Sequence, residues 1–398
     1  MGYEFFIFVF LSLFFLVGNT FRYKRLKILH IINSLGIGGA ENSLYNLVRL
    51  DLENSHIVVS LSKAEANVIP ISSLGVQVYF LNFRSPFFFI EFVKLIKIVR
   101  YEKPAVIQTW LYVSDLIGSL AAVFFRKARL FWNIRNGSLN PLIVSKASIL
   151  TAYLCSYLAK KYPQKIICCS NAAIKVHVDF GYQRSKFYII HNSVDVGKFN
   201  ILNHTTHLQR KFNIESDILT FGYVGRYDPQ KGHSVLYAAL ALYKLSSNLK
   251  FKLLLAGTNI TNCNSRLMDE IHKFSLQDNV ILLGPQDNIV DVYQVLDIHI
   301  LPSLSEGFPN VVAESMACGI PNVVSDVGEA AYIVGDCGWV CEKSDPESML
   351  KSIIEAVNER SHREKWQRRK EACRNRIVTS FAEEKMLQAY INVWNSST

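Results

Sequence analysis

The chain has 398 residues, a length that predicts two domains at roughly 100–200 residues each. Half of its residues are hydrophobic and 19% are charged, which is enough apolar material for large cores and excludes global disorder. The formal charge of +10 is lopsided: residues 1–190 carry 22 basic and 9 acidic side chains, and residues 191–398 carry 21 and 24. A uniform basic coat for nucleic acid is thereby excluded, and only the first half is expected to meet something anionic. The eight cysteines form no C-x-x-C pair and have no close histidine to complete a metal-ligand set. In a chain this long they read as small buried hydrophobes in a reducing compartment.

Phe5 to Val17 is apolar apart from Ser12, and Arg22, Lys24, Arg25 and Lys27 follow it. Glu4 stands where a cleaved signal peptide carries positive charge. The stretch is shorter than a usual span of about 17–25 residues, although Gly18 to Phe21 extend it if it tilts. Basic residues after it predict a short anchor with the body in the cytoplasm, or on the cytoplasmic side of a membrane. The bland alternative is an extension outside the fold, which leaves a cytoplasmic protein.

From Lys27 onward strands alternate with helices. Lys27 to Ile32 reads as a strand that ends at a Gly-rich turn, and Ala40 to Leu50 has helical spacing. Further strands are expected at His56 to Leu61, Val76 to Leu81, Ala105 to Thr109, Leu130 to Ile134, Lys165 to Ser170 and Phe187 to His191. Helices are expected at Phe87 to Arg100 and Leu116 to Phe125. The second half repeats the scheme, with strands at Leu219 to Val224, Lys252 to Gly257, Val280 to Leu283, Ile298 to Leu301 and Pro321 to Ser325. Its helices fall at Ser234 to Tyr243, Leu267 to Phe274, Ile289 to Leu296, Asn310 to Cys318 and Pro346 to Asn358, the last capped by Asp345. Glu383 to Trp394 sets Met386, Leu387, Tyr390, Ile391 and Trp394 on one helical face. The pattern is an α/β chain of two doubly wound parallel sheets, and ligands of such sheets sit at the carboxyl ends of the strands. The divisions expected are 1–26 for the hydrophobic segment, 27–195 and 196–378 for two Rossmann-like domains, and 379–398 for a final helix.

Three motifs fall at strand ends. Gly36-Ile37-Gly38-Gly39-Ala40-Glu41 opens a helix directly after the first strand, where glycines let backbone approach a phosphate and helix amides attract anions. Gly225-Arg226-Tyr227-Asp228-Pro229-Gln230-Lys231-Gly232 follows the first strand of the second half. Its guanidinium and ammonium, five residues apart, suit a diphosphate, and the alternative is a solvated basic turn. No D-x-D triplet occurs, so these cations stand where a metal would otherwise neutralise a leaving diphosphate. Ser303 to Glu314 lies between a strand and a helix and holds Glu306 and Glu314. If both were helical they would be about 12 Å apart, too far to share a proton. Glu306 is expected in the loop and Glu314 on the helix below, with the amides near Phe308 to Val311 facing an anion. The alternatives are a dipole-serving carboxylate for Glu306 and a surface residue for Glu314.

With these motifs the chain resembles the retaining GT-B glycosyltransferases of glycosyltransferase family 4. Asn192 to Asp195 followed by Phe199, Ala317-Cys318-Gly319-Ile320-Pro321 and Ser325-Asp326-Val327-Gly328 complete the resemblance, which covers about Lys27 to Trp394. It implies two Rossmann-like domains facing a cleft, with the last helix crossing back to the first. It also implies metal-independent, cofactor-free transfer from a nucleotide-sugar donor with retention at the anomeric carbon. By the same resemblance Arg226 and Lys231 hold the diphosphate, Glu306 faces the donor sugar and Glu314 the ribose. Gly38, Gly39 and the backbone of Gly307, Phe308, Pro309, Asn310 and Val311 enclose phosphates and sugar. The chain departs from the family at Val113, where relatives often carry a histidine on the donor sugar, and at Asn136 in the stretch Trp132 to Asn136. Valine cannot hydrogen-bond.

Phe87 to Arg100 interleaves aromatic and basic residues. It reads either as a core-packing helix with solvated lysines or as a helix on an anionic membrane surface. The second predicts a saccharide or polyprenyl-diphosphate-linked acceptor in capsule, O-antigen or exopolysaccharide assembly, with no nucleic-acid partner. A dinucleotide-dependent oxidoreductase would need an acid at the end of the second strand, which runs instead to Ser60-Leu61-Ser62-Lys63. A scaffold with a decayed donor site is the other alternative, suggested by Val113.

Overall fold

Strands that are apolar on both faces must be covered on both, and this constraint organises the chain. In the computed structural model the described residues are 25–396 apart from 37, 64–70, 138, 140–143, 203–204, 216–217 and 248. The apolar segment 5–21, with its anchor reading, lies outside them. Among the described residues no helix is long and apolar enough to cross a membrane.

The first sheet contains β1 (Lys27–Ile32), β2 (Ser55–Ser60), β3 (Gln77–Phe80), β4 (Val106–Trp110), β5 (Arg129–Ile134), β6 (Lys165–Cys168) and β7 (Phe187–Ile189). Their order is β3-β2-β1-β4-β5-β6-β7, with every pair parallel. Between them run α1 (Gly39–Leu50), α2 (Phe88–Glu102), α3 (Tyr112–Phe124), α4 (Lys146–Ala159) and α5 (Asn171–Asp179). The chain reverses direction across the sheet after β3. Right-handed crossovers therefore put α1 on one face and α2 to α5 on the other. Ile28, Leu29, Ile31 and Ile32 of β1 are all fully buried between the two layers.

After the short α6 (Thr206–Lys211) a second sheet repeats the plan. Its strands are β8 (Leu219–Val224), β9 (Phe251–Ala256), β10 (Val280–Gly284), β11 (Ile298–Leu301), β12 (Asn322–Ser325) and β13 (Trp339–Cys341), ordered β10-β9-β8-β11-β12-β13. The helices are α7 (His233–Ser246), α8 (Ser265–Lys273), α9 (Ile289–Tyr293), α10 (Asn310–Ala317), α11 (Ala330–Val334), α12 (Pro346–Arg360), α13 (Arg363–Ser380) and α14 (Glu383–Asn395). Asp345 caps α12 as expected, accepting from the amides of Glu347 and Ser348.

α3 begins at Tyr112 rather than Leu116, because buried Ser114 and Asp115 mask the apolar spacing of its first turn. The helix expected at Phe87 to Arg100 packs on the core through buried Leu95 and Val99, with Phe92 and Ile98 against the same cluster, while Phe87, Phe88 and Phe89 at its start are exposed. Cysteines 155, 168, 169, 318, 341 and 373 are buried, Cys337 is half-buried and Cys263 is exposed.

α14 returns to the first domain and packs on α1. Met386, Tyr390, Val393 and Trp394 join Leu44, Leu47 and Val48 in one core. Trp394 donates from Nε1 to Gln108 Oε1 at 3.1 Å. Arg49 grips Glu383 through one nitrogen at 2.6 and 2.7 Å. Beneath Trp394, Trp110 donates to His30 Nδ1 at 3.2 Å, and His30 Nε2 meets His56 Nδ1 at 2.9 Å. An indole N–H can only donate, so His30 carries its proton on Nε2, and His56 turns its own N–H toward Asp51, 3.1 Å away. Burial, with the neighbouring His56, pushes the His30 pKa well below the ordinary value.

Trp394→Ala removes a fully buried side chain and its hydrogen bond, and should cost about 3–5 kcal/mol in denaturant unfolding. Leu245→Ala, at an exposed position of α7, should stay within about 0.5 kcal/mol of wild type.

Candidate active site

The basic turn after β8 is shaped by Asp228. Its Oδ1 accepts from the Gln230 amide at 2.9 Å, capping the tight turn Pro229–Lys231, while its Oδ2 accepts from Arg226 Nε at 3.1 Å. Burial opposes ionisation of Asp228, but these bonds and the nearby cations win and hold its pKa below the usual value. Gly232 closes the turn at φ 67°, and a Cβ there would lie 2.0 Å from the Pro302 carbonyl oxygen. Only glycine lets this turn lie against the loop after β11. The Leu304 amide fastens the two by donating to Gln230 O at 2.7 Å.

That loop carries Glu306. Its Oε1 accepts from Lys231 Nζ at 2.6 Å and from Ser303 Oγ at 2.7 Å. Lys231 and Glu306, two predicted site residues 75 positions apart, are therefore joined directly. Arg226 stands on the same turn with its side chain mostly exposed, held by Asp228 and free to turn toward a ligand. Gly328, at φ 57°, backs the loop so closely that a Cβ would lie 2.5 Å from the carbonyl oxygens of Glu306 and Gly307. Glu314 lies apart on α10, accepting from Tyr293 OH at 3.0 Å, and burial raises its pKa. The two glutamates thus have separate partners and separate environments. Phe308 is buried, and Pro309, which precedes the first turn of α10 (Asn310 and Val311), supplies no side-chain cap to that helix end. An anion would find uncompensated helix dipole there.

The first domain meets this loop from the other side. A Cβ on Gly137 would lie 3.1 Å from Glu306 O and from Gly307 Cα. Asn192 Nδ2 donates to Asn310 Oδ1 at 2.8 Å, and the Asn171 amide donates to Glu329. Arg135 donates to Asn192, to Tyr390 OH at 2.7 Å and to Asn133 at 3.0 Å, and lies 5.7 Å from the Trp110 ring centroid. Gly38 precedes α1, with the Glu41 carboxylate folded over it, 2.4 Å from where a Cβ would be. A Cβ on Gly39 would meet nothing within 4 Å, so space remains above that helix end. Burial raises the pKa of Glu41. Val113 is exposed on the first turn of α3, after Leu111 at φ 70°.

The motifs expected at the site thus lie at the carboxyl edges of two facing sheets. Gly137, Arg135, Asn192, Ser303 and Gly328 complete it. Asn192, Ser303, Gly328 and Arg135 all lie in stretches singled out in the sequence, but their contacts across the cleft, such as Asn192 with Asn310, and that of Gly137 with the Glu306 loop, join segments distant in the chain and leave no local signal.

Two separate parallel sheets whose carboxyl-edge loops meet, with the last helix returning to the first domain, define the GT-B class. Residues 37–198 match the family model described as Glycosyltransferase Family 4, and residues 205–372 match Glycosyl transferases group 1. The chain belongs to the family 4 glycosyltransferases. It is 26% identical over 192 residues to the N-acetyl-alpha-D-glucosaminyl L-malate synthase of Bacillus anthracis, spanning 48% of each chain. It is 23% identical to an Escherichia coli protein, the UDP-Gal:alpha-D-GlcNAc-diphosphoundecaprenol alpha-1,3-galactosyltransferase, over 73% of this chain and 74% of that one. The structure of Anabaena HepE, crystallised with UDP, superposes with a TM-score of 0.80 at 18% identity, over 94% of this chain and 100% of that one. At that identity the likeness shows the shared fold.

Gly232→Ala should force the basic turn off the loop after β11. The expected outcome is a melting temperature lowered by several degrees in a thermal scan, while Gly39→Ala, which meets no neighbour, should leave it unchanged.

Proposed function

We propose that the protein is a retaining, metal-independent glycosyltransferase. It moves a sugar from a uridine-diphosphate donor to a saccharide or polyprenyl-diphosphate-linked acceptor in cell-surface polysaccharide assembly. The observation that carries this is the meeting of Lys231, Glu306 and Ser303 at the mouth of the second sheet, beside the exposed Arg226 and against Gly137 of the first domain. The UDP bound by Anabaena HepE and the lipid-linked substrate in the name of the Escherichia coli relative support the choice of donor and acceptor.

In this reaction the bond from the anomeric carbon to the diphosphate breaks and its electron pair leaves with the diphosphate. The acceptor oxygen bonds to the same face of that carbon, and its proton passes to the departing diphosphate oxygen. Arg226 and Lys231 stabilise the growing negative charge. Glu306 is acceptor-only when ionised, so it takes hydrogen bonds from sugar hydroxyls and would repel the diphosphate itself. That division of labour places the sugar at Glu306 and the phosphates at the cations and the α10 amides. Glu314 takes the ribose hydroxyls, with its other oxygen kept by Tyr293.

Lys231→Ala should lower transfer about 10²–10³-fold, measured as UDP release with a screened donor. Glu314→Gln should act mainly on donor KM. A screen of nucleotide sugars for slow donor hydrolysis identifies the sugar, and NMR of the product reads its anomeric configuration. An inverted product, or full activity of the Lys231 variant, would sink the proposal. UDP binding without turnover on any acceptor would point to a scaffold instead.

A further inference from the structure

We infer that the outer helical face of the first domain, formed by α2, α3 and α4, is a docking surface for an anionic lipid bilayer. The three helices lie side by side on one face of the sheet, and α3 touches both of its neighbours. Their outward residues are apolar where soluble helices are polar. Phe87 is 68% exposed, Phe89 70% and Leu150 61%, and Phe124 and Tyr157 are more than half exposed. Rings bridge the helices: Phe92 of α2 meets Phe124 of α3 edge-on at 6.1 Å. α4 is inverted outright. It buries Ala152, Cys155, Ser156 and Ala159 and turns Leu150, Tyr153, Leu154 and Tyr157 outward. Soluble monomers rarely expose a continuous apolar surface of this kind.

The charge on this face chooses the occupant. Lys97, Arg100, Arg126, Lys127, Lys160 and Lys161 are exposed on the three helices or at their ends. From residue 103 to 178 the one acidic residue is Asp115, and it is buried. On α2, Glu91 is paired with Lys94 and Glu102 with Lys27. A second copy docked on the same face would set these cations against each other. The apolar segment Phe5 to Val17 contains no acid to meet them. An anionic bilayer supplies both an apolar interior and the complementary charge.

The orientation has a use. Each of the three helices starts at the carboxyl edge of the parallel sheet, where Gly137 meets the Glu306 loop. Phe87 to Ile90 therefore project at the cleft end of the face. Docking sets the cleft mouth at the headgroup layer, where the sugar of a lipid-linked acceptor emerges. This last step rests on the transferase reading; the docking face itself rests on exposure and charge.

The test is flotation of the full chain with vesicles of phosphatidylcholine alone and of phosphatidylcholine mixed with phosphatidylglycerol. Wild type should bind the mixed vesicles at least about 10-fold more tightly. Phe89→Ser with Leu150→Ser, and separately Lys160→Glu with Lys161→Glu, should each weaken that binding by about 10-fold or more. All four side chains are exposed, so melting temperature and donor hydrolysis in solution should match wild type. Variants that bind as wild type would move attachment to another segment, the N-terminal stretch included, and overturn the inference. Equal binding to both vesicle types would overturn it too, as would a concentration-dependent dimer that the substitutions dissolve without any vesicle binding. Vesicle binding with no donor hydrolysis would count against the transferase reading and leave the docking face standing.

Discussion

One guanidinium ties the first sheet to both segments that cross between the halves of the molecule. Arg135 follows β5 and reaches Asn133, the linker residue Asn192 and the hydroxyl of Tyr390 on α14. A half-buried cation needs partners on every side, and removing one leaves the rest uncompensated. The partners here belong to three segments: the first sheet, the crossing between domains, and the returning helix. Asn192 then passes the connection to Asn310, the first residue of α10. The end of the helix that would receive the donor is thereby set by a residue of the opposite domain. That is a reason for the chain to return at all: without α14 the guanidinium loses the hydroxyl that closes its shell.

The pairing of Lys231 with Glu306 meets a different difficulty. A cation kept alone in a cleft is expensive to desolvate, and one left free in water has no fixed place. Sharing the Glu306 oxygen with Ser303 keeps the ammonium localised while the cleft is empty. Arg226 is arranged otherwise, more than half exposed and tethered at one nitrogen by Asp228. The site joins one fixed cation with one that can swing, which suits a ligand that must enter and, after reaction, leave.

Much of this was legible in the residues, for identifiable reasons. β8 and β11 occupy the spans expected of them, because a strand apolar on both faces and bounded by a turn leaves a short unbroken run. The local motifs were legible because phosphate-facing turns need glycine, cation and carboxylate at fixed short spacings. α4 was not, since its inside is made of small residues and its outside of Leu and Tyr, which reverses the signal that periodicity uses. α13 hid for another reason: it buries only Cys373 and Ile377 along 18 residues. In the site, Asn192 and Asn310 stand 118 positions apart, and an amide pair at that separation has no signature in a single sequence. The aromatic stretch of α2 divides: Phe92 packs with Leu95 and Val99 on the core, while Phe87, Phe88 and Phe89 stay exposed, a split that the run of four apolar side chains from Phe87 to Ile90 does not show in sequence.

The two crossings between the domains have a mechanical consequence. The outward linker and the returning one run side by side: the Val194 amide donates to Phe381 O at 2.9 Å, and Val194 pairs with Ala382 as parallel strands do. A single tether permits rotation about any axis, whereas two segments laced together form a ribbon. Because the two are bonded to each other, one crossing cannot shift without carrying the other, and the halves have fewer ways to move relative to one another than a single tether would leave them.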